Sequence, residues 1–238
     1  MKIVSFFFGF FFLSQLLLAQ KNKYVEIGAA GGVFYYLGDV NPSLHFYNPQ
    51  SAYGGYFKLV LNEHYSTKIG VAYGTIAGSD NDFNNTFSLT RGHSFTNTIA
   101  DIHLMGEFNF FPLLAEPDEE LYKNFTTYIC AGLSYYIAPN SLGSTSNLGI
   151  PFGVGVKYNL SKRFNIGAEW VMRYTLNDNL DLLEPVFRSE KGGAFAGKQK
   201  SFTGNNDSFT FVGVNLGVKL YAGNDACPAY GRKKSKKK

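Results

Sequence analysis

Three side chains capable of acid–base or metal chemistry lie close together in the sequence. Asp101, His103 and Glu107 fall on one side of a stretch whose intervening positions include the apolar residues Ile102 and Leu104. Carboxylates beside an imidazole can transfer protons or bind zinc. Alternate residues of an extended strand stand about 6.6 Å apart, so Asp101 and His103 would share a metal only with ligands from neighbouring strands. We therefore favour a network of ion pairs over a metal site.

No other segment carries a recognisable catalytic or ligand-binding motif. "GSDNDFNN" at 78–85 lacks the spacing and the terminal glutamate of a calcium loop, and "GAAGGV" at 28–33 is followed by neither a helix pattern nor a Lys-Ser/Thr pair. The serines lie in no nucleophile elbow. A lipid-modifying hydrolase would need His and Ser on a lipid-facing rim, whereas His103 belongs to the polar side. We predict no enzymatic activity, no cofactor, no metal and no small-molecule substrate.

The sequence begins with the features of a secretory signal peptide. Lys2 supplies one early positive charge, residues 3–18 are uncharged and mostly apolar, and Ala19 is a small residue suited to cleavage. A membrane anchor is the alternative, but a spanning helix needs roughly 20 apolar residues and this run is shorter. The sequence therefore predicts a signal peptide at 1–19, a single domain at 20–222 and a basic tail at 223–238.

The charge and cysteine content exclude two classes of protein. The formal charge is +4, but six of the 22 basic residues lie at 232–238 and Lys2 lies in the signal peptide. The remaining chain carries 15 basic and 18 acidic residues, which does not indicate a nucleic-acid-binding surface. Cys130 and Cys227 are the only cysteines, too few for a disulfide framework, and we expect both to be unpaired.

Apolar residues recur at every second position in eight segments, which is the period of β-strands. Short turns and long polar loops alternate between these segments, as in transmembrane barrels, where the long loops face outside and the short turns face the periplasm. The predicted strands are 24–38, 53–62, 65–76, 95–111, 125–138, 150–160, 163–175 and 209–222. The predicted long loops are 39–52, 77–94, 139–149 and 176–208.

The composition of the two strand faces decides which face meets water. In "PFGVGVKYNLSKRFNIGAEWVM", residues 151–172, Val154 and Val156 alternate with Gly155 and Lys157. A soluble sandwich would expose the polar face, yet that face is rich in glycine, which weakens an exposed strand. Inside a narrow barrel, small residues leave room for large ones. The sequence thus predicts an all-β fold, an eight-stranded antiparallel transmembrane β-barrel of the outer-membrane type with a lumen filled by side chains.

The polar face of the predicted strands carries nearly balanced charge. An unpaired buried charge costs several kcal/mol, so we expect these groups to pair and to close the lumen. The predicted members of this lumenal charge network are Glu26, Lys58, Lys68, Asp101, His103, Glu107, Lys157, Glu169, Arg173 and Lys219. Aromatic residues near strand ends are predicted to form the two girdles at the membrane interfaces: Tyr35, Tyr53, Tyr73, Phe110, Tyr135, Phe164, Tyr174 and Tyr221.

Three segments at the predicted periplasmic end are strongly charged. The turn "PLLAEPDEELYKN" at 112–124 is acidic, the turn "SKRF" at 161–164 is basic, and the tail "GRKKSKKK" ends the chain with six positive charges. A charge run is commonly a solvated tail, and electrostatic docking to a periplasmic protein or membrane surface is the alternative. The candidate partner contacts are Glu116, Asp118, Glu119, Glu120, Lys162, Arg163, Arg232, Lys233 and Lys234.

Several phrases, taken in order, suggest a known family. They are "FYYLGDVNP" at 34–42, "YGTIAGSD" at 73–80, "RGHSF" at 91–95, "EFNFFP" at 107–112 and "YICAGLSYYIAP" at 128–139. Together they resemble the PorG family, small outer-membrane β-barrels of the type IX secretion system of Bacteroidetes. Two features depart from it: the seventh loop reads "LNDNLDLLEPVF" where relatives tend to have a paired-Asp motif, and the lysine-rich end is not a family feature.

The resemblance implies a non-enzymatic role in the cell outer membrane. PorG-like proteins associate with the periplasmic ring built from the PorK lipoprotein and PorN, so the expected partners are these two proteins and outer-membrane lipid. With eight strands, both termini lie on the same side as the short turns, which is the periplasmic side in transmembrane barrels. The alternative function is that of a small surface barrel of the adhesion or stress-resistance type, which acts through its extracellular loops.

Overall fold

The computed structural model describes residues 24–83, 92–113, 124–140, 143–176, 180–181 and 206–220. The predicted signal peptide, the basic tail and most of the acidic turn lie outside these ranges. No helix within them is long and apolar enough to cross a membrane. The regular structure there is β, apart from one 3₁₀ turn at Asp80–Asp82.

Eight antiparallel strands form one closed barrel in chain order, which confirms the predicted fold class. Each strand pairs with the next, and β1 closes the barrel against β8 from Val25↔Leu220 to Leu37↔Ser208. The strands are β1 (Tyr24–Leu37), β2 (Gln50–Val60), β3 (Tyr65–Ser79), β4 (Ser94–Asn109), β5 (Phe125–Asn140), β6 (Gly143–Asn159), β7 (Phe164–Thr175) and β8 (Ser208–Leu220). We call the end with residues 61–64 and 160–163 the turn end, and the opposite end the loop end.

The prediction of a long loop at 139–149 is wrong. β5 continues to Asn140 and β6 begins at Gly143, paired as Asn140↔Gly143, so that only residues 141 and 142 separate the two strands. The run of Asn, Ser and Gly in this segment is typical of a loop by composition. A two-residue connection between strands also favours these residue types, so composition alone does not give the length of the hairpin.

The two faces of the barrel wall are divided as predicted. On β6, Val154 is 52% exposed on the outside whereas Lys157 on the inside is 5% exposed. The same alternation runs through β4, where Leu104 is 52% exposed and Asp101 is 1% exposed. A wall that is apolar outside and charged inside is the inverse of a soluble barrel and is suited to a lipid bilayer.

Inward-facing glycines make room for large lumenal side chains. A Cβ atom on Gly28 would lie 2.3 Å from the ring of Tyr56, and one on Gly155 would lie 2.4 Å from the ring of Tyr128. No side chain at either glycine is therefore compatible with these tyrosines in place. Glycine at these two positions of the polar face thus leaves room for two buried aromatic rings.

One predicted girdle residue is buried by the first loop instead of facing the membrane interface. Tyr35 points outward from β1 but is fully buried. Its ring packs against His45 and Phe46 of the loop at 38–49, with centroids 6.0 and 5.2 Å away. Its hydroxyl accepts a hydrogen bond from Trp170 Nε1 at 2.8 Å. Among the other predicted girdle residues, Tyr53, Tyr73, Phe110, Tyr135 and Phe164 are exposed, Tyr174 is partly exposed, and Tyr221 lies outside the described residues.

Replacing Leu104 with arginine should lower the free energy of unfolding by about 2–4 kcal/mol, because the charge would enter the lipid-facing wall. The measurement is a urea titration of the barrel refolded in phosphatidylcholine vesicles. Thr96→Arg is the matched control: Thr96 is exposed on the same face of β4, beyond the level of Tyr73. Equal losses at the two positions would contradict the assignment of this wall to lipid.

Candidate functional site

Glu107 lies at the centre of a buried set of ion pairs in the lumen. Its Oε2 atom lies 2.6 Å from Lys157 Nζ and 3.3 Å from Lys58 Nζ, and its Oε1 atom lies 3.6 Å from Lys68 Nζ. Ser66 donates a further hydrogen bond to Oε2 at 2.8 Å. The three lysines belong to β6, β2 and β3, whereas Glu107 belongs to β4. This central cluster therefore joins four strands across the lumen.

Two further glutamates extend the central cluster toward other strands. Lys68 Nζ lies 2.7 Å from Glu169 Oε2 on β7, and Lys58 Nζ lies 3.5 Å from Glu26 Oε1 on β1. Each of these lysines thus lies between two carboxylates. With β1 and β7 included, the ion pairs connect six of the eight strands.

Two lumenal tyrosines also donate hydrogen bonds to these glutamates. The Tyr56 hydroxyl donates to Glu26 Oε1 at 2.7 Å, and the Tyr128 hydroxyl donates to Glu169 Oε2 at 2.8 Å. Lys157 Nζ also lies 4.0 Å from the centroid of the Tyr128 ring, within the range of a cation–π interaction. Sequence reasoning missed both tyrosines because it considered aromatic residues only at strand ends. Their inward positions in the two-residue period were the signal that would have identified them.

Asp101 and His103 form a second cluster with Arg173 instead of joining Glu107. Asp101 Oδ2 lies 2.9 Å from His103 Nδ1 and 2.9 Å from Arg173 Nε. The guanidinium carbon lies 5.4 Å from the centroid of the Phe209 ring. Within the part of the chain that the structure describes, no three His, Cys, Asp or Glu side chains are arranged to hold a metal ion.

A small cavity borders both clusters. It is lined in part by Tyr56, Lys68, His103, Glu169 and Arg173, and its volume is about 20 Å³. A water molecule needs roughly 10–15 Å³ of such space and two to four polar partners, so the cavity suits a single buried water.

All ten predicted members of the lumenal charge network lie on the inner wall. Each is at most 8% exposed. Lys219 lies near the turn end, opposite Glu26 in the β1–β8 register, with its Nζ atom 5.5 Å from the centroid of the Tyr24 ring. The members are Glu26, Lys58, Lys68, Asp101, His103, Glu107, Lys157, Glu169, Arg173 and Lys219.

An apolar cluster fills the lumen at the loop end. Leu180 is fully buried there among side chains that include Ile99 and Phe209. Its main-chain N–H donates to Asp207 Oδ2 at 2.8 Å, and Asn97 Nδ2 donates to its carbonyl oxygen at 3.1 Å. The loop between β7 and β8 therefore returns the side chain of Leu180 into the mouth of the barrel.

A buried tyrosine holds two aspartates of this mouth. The Tyr36 hydroxyl lies 2.5 Å from Asp207 Oδ1 and 3.2 Å from Asp181 Oδ2. His93 Nε2 lies 2.8 Å from the carbonyl oxygen of Asp181. Hydrogen bonds from β1 and from the residue that precedes β4 thus hold the segment that carries Leu180.

Two of the predicted partner contacts lie among the described residues, in the turn between β6 and β7. Lys162 and Arg163 are exposed there. The Ser161 hydroxyl oxygen accepts hydrogen bonds from the main-chain N–H groups of Arg163 and Phe164 at 3.3 and 3.1 Å, which orders the turn. The other candidate contacts, Glu116, Asp118, Glu119, Glu120, Arg232, Lys233 and Lys234, lie outside the described residues.

A family model described as a domain of unknown function (DUF6089) matches residues 2–230. The chain belongs to the DUF6089 family. No curated protein sequence matches it.

Solved outer-membrane barrels are similar to the DUF6089 chain in fold. The N-terminal barrel domain of Pseudomonas aeruginosa OprF has 16% identity and a TM-score of 0.44, with 84% of this chain and 98% of that chain covered. Neisserial surface protein A has 13% identity and a TM-score of 0.44, with coverage of 83% and 97%. Ail, the attachment invasion locus protein of Yersinia pestis, has 11% identity and a TM-score of 0.40 in its complex with sucrose octasulfate, with coverage of 83% and 97%.

Replacing Glu107 with glutamine should lower the free energy of unfolding of the DUF6089 barrel by about 3–5 kcal/mol, because three buried ammonium groups would lose their shared carboxylate. The measurement is unfolding in urea and detergent, followed by the change in gel mobility between folded and unfolded barrel. Lys162→Gln, at an exposed position, is the control and should cost less than about 1 kcal/mol. A loss for Glu107→Gln no larger than the control's would contradict the central role of this carboxylate.

The filled lumen also predicts that the barrel does not conduct ions. The purified protein in planar lipid bilayers should give no current steps above those of the protein-free membrane, because the central cluster and the mouth around Leu180 obstruct the path. A porin reconstituted in parallel is the positive control. Stable current steps from the DUF6089 protein would contradict this reading of the lumen.

Proposed function

We propose that this DUF6089 protein is a structural outer-membrane component of the type IX secretion system, which holds the periplasmic ring of PorK and PorN at the outer membrane. The observation that carries the proposal is the combination of a lipid-facing wall with a lumen filled by paired charges. Such a barrel provides a fixed position in the bilayer without a passage for substrate. Its function then depends on the segments outside the membrane.

Two of the phrases that resemble PorG contain segments that lie at ordered strand ends. "GDVNP" follows β1 at the loop end, where Gly38 N–H donates to Asn41 O at 3.0 Å and the Asn41 amide donates to Tyr36 O at 2.8 Å. "EFNFFP" ends β4 at the turn end, where Phe110 and Phe111 are 51% and 53% exposed. Both phrases therefore form defined local structure at the end of a strand.

The proposed orientation places the turn end and both termini in the periplasm and the loop end outside the cell. Lys162 and Arg163 then face the periplasm from an ordered turn. We assign docking of the ring to this turn, to the acidic turn at 112–124 and to the tail at 223–238. The role is non-enzymatic in this proposal, because the lumenal side chains capable of acid–base chemistry are engaged with one another inside the barrel.

The proposal predicts that the tagged full-length protein recovers PorK and PorN from solubilised outer membranes. Three variants should reduce that recovery several-fold because they remove or reverse charge at the turn end. They are Lys162→Glu with Arg163→Glu; Glu116→Gln with Asp118→Asn, Glu119→Gln and Glu120→Gln; and deletion of 223–238. Ser94→Lys, at the loop end, is the matched control and should leave recovery unchanged. The readout is quantitative mass spectrometry of the eluate.

Two results would contradict different parts of this proposal. Absence of both ring proteins from the wild-type eluate would refute the assignment to type IX secretion. Recovery that stays at the wild-type level in all three variants would refute docking through these charges while leaving the assignment standing.

The second candidate is a surface barrel of the adhesion or stress-resistance type. The observation that favours it is the height of the β3–β4 hairpin, whose strands pair as far as Ser79↔Ser94, beyond the exposed Tyr73. Under this alternative, exchange of the loop-end segments would abolish function and the turn-end variants would have no effect.

A further inference from the structure

The first loop, residues 38–49, folds down over the outer wall of the barrel. The ring of His45 lies 6.3 Å, centroid to centroid, from the ring of Trp170 on β7. Tyr35 on β1 and Met172 on β7 face outward, yet both are buried, and Trp170 packs against them. The loop therefore covers part of a wall that would otherwise meet lipid.

The position of Trp170 gives the depth that the loop reaches. On β7, Trp170 lies between Phe164, which is exposed at the turn end, and Tyr174, which is partly exposed at the loop end. It precedes Tyr174 by four residues, which corresponds to about 10 Å along the barrel axis for strands tilted by about 40°. His45 thus lies against a side chain of the apolar band between the two girdles. The first loop enters this band from the loop end.

The polar groups at this contact are bonded to one another. Trp170 Nε1 donates to the Tyr35 hydroxyl at 2.8 Å, and that hydroxyl lies 3.1 Å from His45 Nδ1. A polar group that faces hydrocarbon without a partner costs free energy. Because these groups are paired, the indole and the imidazole are compatible with this depth.

The main chain of the loop is also bonded from within. The Asn41 amide donates to the carbonyl oxygen of Leu44 at 2.8 Å, and Asn41 Oδ1 accepts from the Leu44 N–H at 3.0 Å. Gly38 N–H donates to the carbonyl oxygen of Asn41 at 3.0 Å, and the Gln50 amide donates to that of Asn48 at 3.3 Å. Irregular backbone is tolerated at membrane depth only where its polar groups have partners. The first loop has such partners on both sides of its tip.

Two apolar side chains of the loop are exposed. Leu44 is 52% exposed and Phe46 is 57% exposed, although one side of the Phe46 ring packs on Tyr35. Phe46 has a φ of 62°, in the left-handed region that a bulky residue rarely adopts. In water, a strained backbone that leaves an aromatic ring exposed is doubly unfavourable, whereas in lipid the exposed ring gains transfer free energy. No Asp, Glu, Lys or Arg occurs between positions 40 and 50.

Tyr47 fixes the other side of the loop to the rim of the barrel. Its hydroxyl accepts from Ser79 N–H at 3.2 Å and donates to Asp82 Oδ2 at 2.5 Å. His45 is thus held at the wall and Tyr47 at the rim, with Phe46 between them. The loop therefore has one orientation, in which its exposed apolar side chains are held in place.

We propose that the first loop is a membrane anchor, which inserts Leu44 and Phe46 among the acyl chains of the leaflet at the loop end. Lipid is the occupant of this surface because the loop continues the apolar wall on which it lies. Its uncharged sequence and its two exposed side chains also match hydrocarbon. The anchor goes beyond the proposed function, since it involves neither the ring nor the turn end and holds for either orientation of the barrel.

Quenching of tryptophan fluorescence by brominated lipid tests the anchor in the full-length protein. The protein is folded into phosphatidylcholine vesicles that carry bromine on their acyl chains, and the signal of Trp170, the single tryptophan, is subtracted. Phe46→Trp should be quenched at least about twofold more than Ser94→Trp, because the anchor places position 46 roughly 5–10 Å into the bilayer. Ser94 is the matched control, since it is exposed at the rim of β4. The change in gel mobility on unfolding verifies that each variant is folded.

Two variants at Leu44 show whether insertion depends on its apolar side chain. In the Phe46→Trp background, Leu44→Asp should lower the quenching to that of Ser94→Trp, because insertion would carry a carboxylate into the apolar band. Leu44→Met keeps the side chain apolar and should leave the quenching unchanged.

Three results would overturn the proposal or part of it. Quenching of Phe46→Trp no stronger than that of Ser94→Trp would refute insertion of the loop. Equal quenching of Leu44→Asp and Leu44→Met would refute the role assigned to Leu44. Cross-linked dimers, together with shielding of position 46 from the bromine atoms, would show that a second copy of the chain covers the loop in place of lipid.

Discussion

The carboxylate of Glu107 is the group on which the interior of this barrel depends. An ionised carboxylate in a lumen without bulk water is stable only when cations replace its hydration. Lys157, Lys58 and Lys68 supply those cations from three different strands. The central cluster therefore fixes how β2, β3, β4 and β6 face one another, and it acts on strands far apart in the sequence.

The same cluster specifies strand register. A shift of one residue would reverse the two faces of a strand, so that its lysine would enter lipid and an apolar side chain would enter the charged lumen. In a soluble sheet the penalty for such a slip is the exposure of apolar surface. Here the slipped state would also bury an unpaired ammonium in hydrocarbon and leave Glu107 with one cation fewer. Register in this membrane barrel is consequently specified both by the lipid outside the wall and by the charged lumen inside it.

The two-residue period and the identity of the polar-face residues were enough to predict the fold, the number of strands and the inner wall. They were enough because whether a side chain faces the lumen or the lipid depends on its residue type and on whether its position in the strand is odd or even. Both are local properties of the sequence. The length of the β5–β6 connection and the burial of Tyr35 were not predicted. The length of the connection depends on how far the two strands pair. The burial of Tyr35 depends on the loop between β1 and β2 folding back over the outer wall. Neither is a local property of the sequence.

The two ends of the barrel differ for physical reasons that bear on what each can bind. At the loop end, the apolar cluster that includes Leu180 and Phe209 packs beneath the rim, and Arg173 of the second charge cluster lies against the Phe209 ring. At the turn end, Lys219 and Glu26 bring the lumenal charges close to the short turns, next to exposed Lys162 and Arg163. A protein that docks at the turn end, as proposed, therefore meets a charged surface, and this electrostatic attraction weakens as the salt concentration rises.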